Sequence, residues 1–202
     1  MIALLVALAL LATAPTARAA PQGEPPPGDA VAVFAGGCFW CMEGPFDAID
    51  GVLSTTSGYT GGHVPDPTYE QVSGGDTGHV EALQIVYDPK RVTYDALLDV
   101  FWHNVDPFDG GGQFCDRGSQ YRSVVFVRDA KERKEAEASK RGLADRFGKP
   151  IATGIVDASP FYAAEEYHQD YYRKNPLRYR YYRNGCGRDD RLAKVWGTAP
   201  AH

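Results

Sequence analysis

The sequence predicts an α+β fold: a two-layer α/β sandwich with a mixed sheet, a ferredoxin-like core, long loops and an irregular C-terminal tail. Three observations carry that expectation. Strand-like and helix-like segments alternate, but without the strict rhythm of a doubly wound sheet, and a two-layer arrangement fits better. Glycine (22) and proline (14) are abundant, which suits a loop-rich chain better than a helical bundle. Hydrophobic residues make up 44% and charged residues 23%, so there is enough apolar surface to offset the entropy of ordering the chain. The 202 residues suffice for one domain of ordinary size. A formal charge of −5 speaks against a general polyanion binder, so nucleic acid is not expected as a partner. No internal repeat is visible, which argues against a solenoid or propeller.

The elements follow in order. Residues 1–14 (MIALLVALALLATA) form an apolar run shorter than the roughly 20 residues a bilayer span needs. The run leads to Ala17-Arg18-Ala19, a small-x-small cleavage pattern, so residues 1–19 are expected to be a signal peptide. Export to the periplasm or beyond follows from that, with no membrane span after cleavage. Only Arg18 is lost with the segment, which leaves a mature charge near −6 (−5 less one positive charge). Residues 20–29 read as a proline-rich linker, and residues 30–197 as the folded domain.

Ala30–Ala35 is a short apolar strand bounded by Gly36-Gly37. A helix follows over 38–49, with Phe39, Met42, Phe46 and Ile49 on one face; Pro45 is awkward inside it. Residues 51–62 read as a strand and 64–78 as a polar loop. Val80–Tyr87 is a strand with apolar residues on both faces, which places His79, Glu81, Leu83, Ile85 and Tyr87 in one row. A helix over 93–105 starts at Thr93 as N-cap and carries Leu97, Val100 and Phe101 as its core stripe. A second glycine-rich loop runs over 106–120, then a strand over 121–127, a charged helix over 129–147 and a strand over 151–156. Residues 161–174 read as a short helix or ordered turn, and no period is evident from 175 onward. Loops as long as 64–78 and 106–120 are often functional.

Outside the cytosol four cysteines could simply form two structural disulfides. Cys38, however, follows a strand and two glycines and opens a helix. There the unpaired N–H groups and the positive dipole end favour a thiolate. Phe39 and Trp40 beside it suggest an apolar pocket at the reactive sulfur. Cys38 and Cys41 also match C-x-x-C, a redox-pair spacing but a weak signal alone. No metal site is expected, since the histidines show no ligand spacing.

The residues Gly36-Gly-Cys-Phe-Trp-Cys-Met-Glu43 resemble the G-C-F-W-x-x-E signature of the A-type peptide methionine sulfoxide reductases. Gly58-Tyr-Thr-Gly-Gly62, Pro67-Thr-Tyr69, Thr77-Gly-His-Val-Glu81, Tyr87-Asp-Pro89, Asp116-Arg-Gly-Ser-Gln-Tyr-Arg122 and the 161–171 segment FYAAEEYHQDY follow in the family's order. The resemblance covers about residues 30–180. It implies thiol-dependent reduction of methionine S-sulfoxide, free or in proteins. Cys38 is then the nucleophile, Glu81 the proton donor, and Tyr69 and Tyr121 the donors to the sulfoxide oxygen, with Asp116 beside them. Phe39 and Trp40 become the pocket for the S-methyl group. No prosthetic cofactor is implied; an external thioredoxin-type thiol is the reductant, and a monomer is expected. Glu43 and His168 read as structural.

A second cysteine must then take up the Cys38 sulfenic acid as a disulfide. Cys186, flanked by Gly185 and Gly187 in the tail, ranks first because such a segment costs little to move. Cys41 ranks second, held away by the helix, and Cys115 adjoins Asp116 without an assigned role. The main competing reading is a thioredoxin-like dithiol oxidoreductase working through Cys38 and Cys41. A disulfide-stabilised binding domain and an RNA-binding Tyr/Arg-rich tail are weaker alternatives.

Overall fold

In a computed structural model of the chain, residues 26–197 are described. The expected signal segment and linker residues 20–25 lie outside them. The strands are β1 (Ala30–Gly36), β2 (Val52–Thr60), β3 (Val80–Tyr87), β4 (Gly112–Gln113), β5 (Asp116–Arg117), β6 (Ser123–Val127), β7 (Gly154–Asp157) and β8 (Tyr162–Ala163). The helices are α1 (Trp40–Asp47), α2 (Tyr69–Ser73), α3 (Tyr94–His103), α4 (Ala130–Phe147), α5 (Tyr171–Lys174), α6 (Pro176–Gly185) and α7 (Arg188–Trp196).

Six strands form one sheet in the order β7-β6-β1-β3-β2-β8. β1 runs antiparallel to β3 and β6, and β2 antiparallel to β3 and β8; β6 and β7 are parallel, so the sheet is mixed. The run β1-α1-β2-β3-α3-β6 with central order β6-β1-β3-β2 is a split βαβ, the ferredoxin-like core. Alternation along each strand decides which side chains face the helices. Ala32, Phe34, Leu83, Ile85, Val125 and Val127 do, and they pack on Met42 and Phe46 of α1, Leu97 and Phe101 of α3, and Ala136 of α4. Val31, Val33, Ala35, Val80 and Ala82 face the other way, onto Phe126 and Phe161. Thr93 caps α3 as expected, its Oγ1 accepting from the Ala96 N–H.

Several boundaries differ from expectation. The loop at 64–78 contains α2, started by a capping box in which Thr68 and Gln71 satisfy each other's backbone N–H. The loop at 106–120 holds the β4–β5 hairpin. Tyr121 ends a 3₁₀ turn over Ser119–Tyr121, so β6 begins at Ser123. The segment at 161–174 divides into β8, a 3₁₀ turn over Glu166–His168 and α5.

The C-terminal tail is not irregular: α6 starts at Pro176, where a missing N–H costs nothing, and α7 follows a left-handed Gly187. Arg188, Leu192 and Trp196 lie four apart on the buried side of α7, and Leu192 and Trp196 join the main core. An arginine on that row hides the apolar period. Cys186 is likewise not a free thiol on a mobile segment. It caps α6 and is bonded to Cys115 across a separation of 71 residues, which clips the α6–α7 corner to the β4–β5 hairpin.

Candidate active site

Gly37 takes φ +80, and a Cβ there would stand 2.6 Å from Cβ of Gln113. Only glycine allows this turn, which lifts Cys38 off the end of β1 ahead of α1. Cys38 precedes the helix rather than sitting in its first turn, since Phe39 is the N-cap. A cavity of about 70 Å³ opens at its sulfur, lined by Cys38, Phe39, Trp40, Tyr69, Glu81, Asp116, Tyr121 and Tyr182. Roomier surface clefts exist, such as one of about 420 Å³ beside Asp95 and Lys134. The small cavity is the one that gathers a thiol, two carboxyl groups and phenols.

Glu81 reaches it from the helix-facing row of β3 and is 2% exposed. Its Oε2 accepts the Phe39 N–H at 3.1 Å, so the residue that follows the thiol also orients the carboxyl. Burial pushes its pKa up to about 8 against that hydrogen bond, with Asp116 and Cys41 adding to the rise. Glu81 is therefore a carboxylic acid at neutral pH.

Asp116 arrives on the β4–β5 hairpin. Burial raises its pKa, while the Tyr182 hydroxyl, donating to Oδ2, and the charge of Arg188 oppose the rise. Tyr69 stands at the start of α2, where its N–H donates to Glu165. Burial first, then the Glu81 carboxyl, push the Tyr69 pKa up to about 12 and that of Tyr121 higher still. Both phenols remain donors.

The apolar wall is fixed from behind. Trp40 stacks on Tyr171 with centroids 3.7 Å apart, meets Tyr182 edge-on, and donates Nε1–H to Nδ1 of His168 at 3.0 Å. Burial lowers the His168 pKa to about 4, so a neutral imidazole serves as acceptor, a structural part. Glu43 points away from the cavity and ties α1 to Ser57 and to the Asp170 N–H.

Cys38 and Cys41 are free and buried, with their side chains hydrogen-bonded to each other. Burial, that bond, and the Glu81 and Asp116 carboxyls raise the Cys38 thiol. The Cys38 hydrogen bond lowers Cys41, helped by the charges of Arg188 and Arg183 against the cost of burial. The bond between them thus moves the two thiols in opposite directions, Cys38 up and Cys41 down. Cys41 lies behind Cys38, off the cavity lining.

All the residues expected at the site therefore line one cavity, except Cys186. The sequence reading missed Tyr182. It lies in the segment without an evident period, and no local pattern separates it from Tyr179 and Tyr181.

The chain matches the family model "Peptide methionine sulfoxide reductase" over residues 30–200. It is 54% identical over 169 residues to the peptide methionine sulfoxide reductase MsrA of Bacillus licheniformis, covering 83% of this chain and 93% of that protein. Among solved structures it is similar to Mxr1 of Saccharomyces cerevisiae in reduced form, with TM-score 0.72 and 36% identity over 76% of this chain and 90% of that one. It is also similar to Mxr1 in complex with Trx2, with TM-score 0.54 and 27% identity over 74% and 89%. A family model spanning most of the folded chain and a relative above half identity lead to one conclusion: the chain belongs to the A-type peptide methionine sulfoxide reductase family.

Proposed function

We propose that this protein reduces methionine S-sulfoxide, free or in oxidised proteins, to methionine, with Cys38 as nucleophile and Glu81 as proton donor. The observation that carries the reading is a buried carboxylic acid and two phenols converging on one thiol. Cys38 attacks the sulfoxide sulfur. The oxygen is a poor leaving group until protonated, and Glu81 stands protonated at neutral pH to do it. Tyr69 and Tyr121 donate to the same oxygen, where charge develops. The thiol and the sulfoxide become a sulfenic acid and a thioether, so two electrons pass from the Cys38 sulfur to the substrate sulfur.

The methyl group lies against Phe39 and Trp40 and the oxygen toward Glu81. The rest of the substrate points to solvent, and three fixed directions around a chiral sulfur accept one epimer.

Cys41 is the resolving cysteine in this reading. It touches Cys38 as a free thiol, whereas Cys186 is occupied by Cys115. The Cys115–Cys186 bond is a staple that holds Asp116 and Tyr182 at the cavity. A thioredoxin-like reductant then opens the Cys38–Cys41 disulfide, as the Mxr1–Trx2 complex suggests by analogy. We also propose export, on the apolar run and Ala17-Arg18-Ala19; a mature N-terminus near Ala20 by mass spectrometry is expected, and an intact Met1 would refute it. A periplasmic or membrane-linked thiol carrier then supplies the electrons.

Turnover of a chromophoric methionine S-sulfoxide with dithiothreitol tests the core reading. Wild type should reduce it, and Cys38→Ser should fold and not do so. Residual turnover above a few per cent in that variant would sink the mechanism.

A further inference from the structure

The C-terminal helices bring two arginines behind the thiol pair. Arg188 is 1% exposed, yet among the described residues it forms no ion pair with a carboxylate. Its Nη2 donates to the carbonyls of Gly36 (3.0 Å) and Asn104 (2.7 Å) and lies 3.2 Å from Sδ of Met42. The guanidinium stacks over Phe114, and its Nε is buried without an acceptor. A buried cation hydrogen-bonded only to neutral carbonyls is costly, and such a charge favours any group nearby that can become an anion, as it does Asp116.

Arg183 touches the same turn from α6. Pro45 lacks an N–H, so within α1 the carbonyl of Cys41 loses its usual donor. Nη1 of Arg183 supplies one at 3.4 Å. Asp189 pairs with Arg183 at 2.6 Å and offsets part of its charge, so Arg188 is the cation of the two without a direct ion pair among the described residues.

We propose that Arg188, seconded by Arg183, is a positioning residue that holds Cys41 ready as the thiolate which closes the Cys38–Cys41 disulfide. This rests on Cys41 being the resolving cysteine. The other groups facing Cys41 are Cys38, which donates to it, the carboxyls of Asp116 and Glu81, which oppose a negative charge, and the neutral phenols of Tyr179 and Tyr182. Arg188 and Arg183 are the positive members of that set.

The step balances. The Cys41 sulfur attacks the Cys38 sulfenyl sulfur, the S–S bond forms, and the S–O bond breaks. Glu81, reprotonated by the Cys38 thiol proton released in the first step, protonates the departing hydroxide, which leaves as water; Cys41 is oxidised and the sulfenyl sulfur reduced. The cysteine with the lowered pKa is thus the second nucleophile, while Cys38 keeps its proton until substrate arrives.

The test uses the full chain with Cys115–Cys186 intact. In Cys38→Ser, Cys41 is the sole free thiol, the serine hydroxyl can still donate to it in place of the Cys38 thiol, and its ultraviolet thiolate absorbance can be titrated directly. We expect a midpoint below the ordinary thiol value of about 8.5. Arg188→Met in that background should raise it by about one unit, roughly tenfold less thiolate at any pH well below both midpoints, and Arg188→Lys should keep most of the lowering. With Cys38 present, Arg188→Met should close the disulfide about tenfold more slowly at about pH 5, below both midpoints, after one sulfoxide is reduced. The rate should recover when the pH is raised by about one unit, which a packing defect would not do. If Arg188→Met does not fold, Arg183→Met carries the same measurements with a smaller shift in the same direction. Unchanged midpoints in the folded variants overturn the proposal. A shifted midpoint with no Cys38–Cys41 peptide in wild type overturns the resolving role of Cys41 instead, and leaves catalysis at Cys38 standing.

Discussion

Glu81→Gln keeps the shape of a buried side chain and removes its proton. The amide oxygen can still accept the Phe39 N–H, so the end of β1 and the start of α1 should keep their positions. With a pKa near 8, Glu81 is about nine-tenths protonated at pH 7; at its ordinary value near 4.5 the fraction would be below about 1%. Burial thus enlarges the acid population by a few hundredfold. Losing the acid should slow sulfoxide reduction by about 10²–10⁴-fold, the range for general acid catalysis.

The assay is a single turnover without reductant, which isolates oxygen transfer from recycling. In wild type the rate should fall as pH rises past about 8, where Glu81 loses its proton, and the variant should lack that limb. Stability supplies an independent reading. The folded pKa lies above the unfolded one, so this contribution is fully present below about 4.5, declines as pH rises and is lost above about 8. Wild type should lose on the order of 3–5 kcal/mol relative to Glu81→Gln between pH 4.5 and 8 in urea melts. An unchanged single-turnover rate, or a falling limb near pH 8 that survives in Glu81→Gln, would refute the reasoning and point to Asp116.

Cys41→Ser should reduce one equivalent of sulfoxide and then stall, with dimedone trapping a sulfenic acid on Cys38; full recycling there would return the role to Cys186. Cys186→Ser should instead recycle but melt earlier, since opening a loop of 71 residues removes up to about 4 kcal/mol in the chain-entropy model; an unchanged melt would deny the disulfide a structural role. Tyr182→Phe removes the hydrogen bond that holds down the pKa of Asp116 and should weaken transition-state stabilisation by about 1 kcal/mol, roughly fivefold in kcat/KM. A value equal to wild type would make Tyr182 a wall and nothing more.

The sequence by itself determined the alternation of strands and helices, because period-two and period-3.6 patterns are local. It put Glu81 on the same strand row as Leu83 and Ile85, which is the row that faces the helices. It marked Cys38 by the glycines before it and the helix after it. The cap of α2 was not read, because Thr68 and Gln71 lie in a segment whose composition is that of a loop.

What only the tertiary structure decided concerns pairs far apart in the chain. Cys115 and Cys186 meet because α6 folds back over the β4–β5 hairpin, 71 residues away, and no spacing rule links two such cysteines. That bond and the helices α6 and α7 stand where an irregular tail with a free thiol was expected. Tyr182 enters the cavity by the same fold-back. Arg188 breaks the apolar row of α7, so the row reads as irregular until Leu192 and Trp196 are seen inside the core. Long-range contacts carry no periodic signal, and an arginine buried to serve a thiol violates the very pattern by which a buried helix face is read.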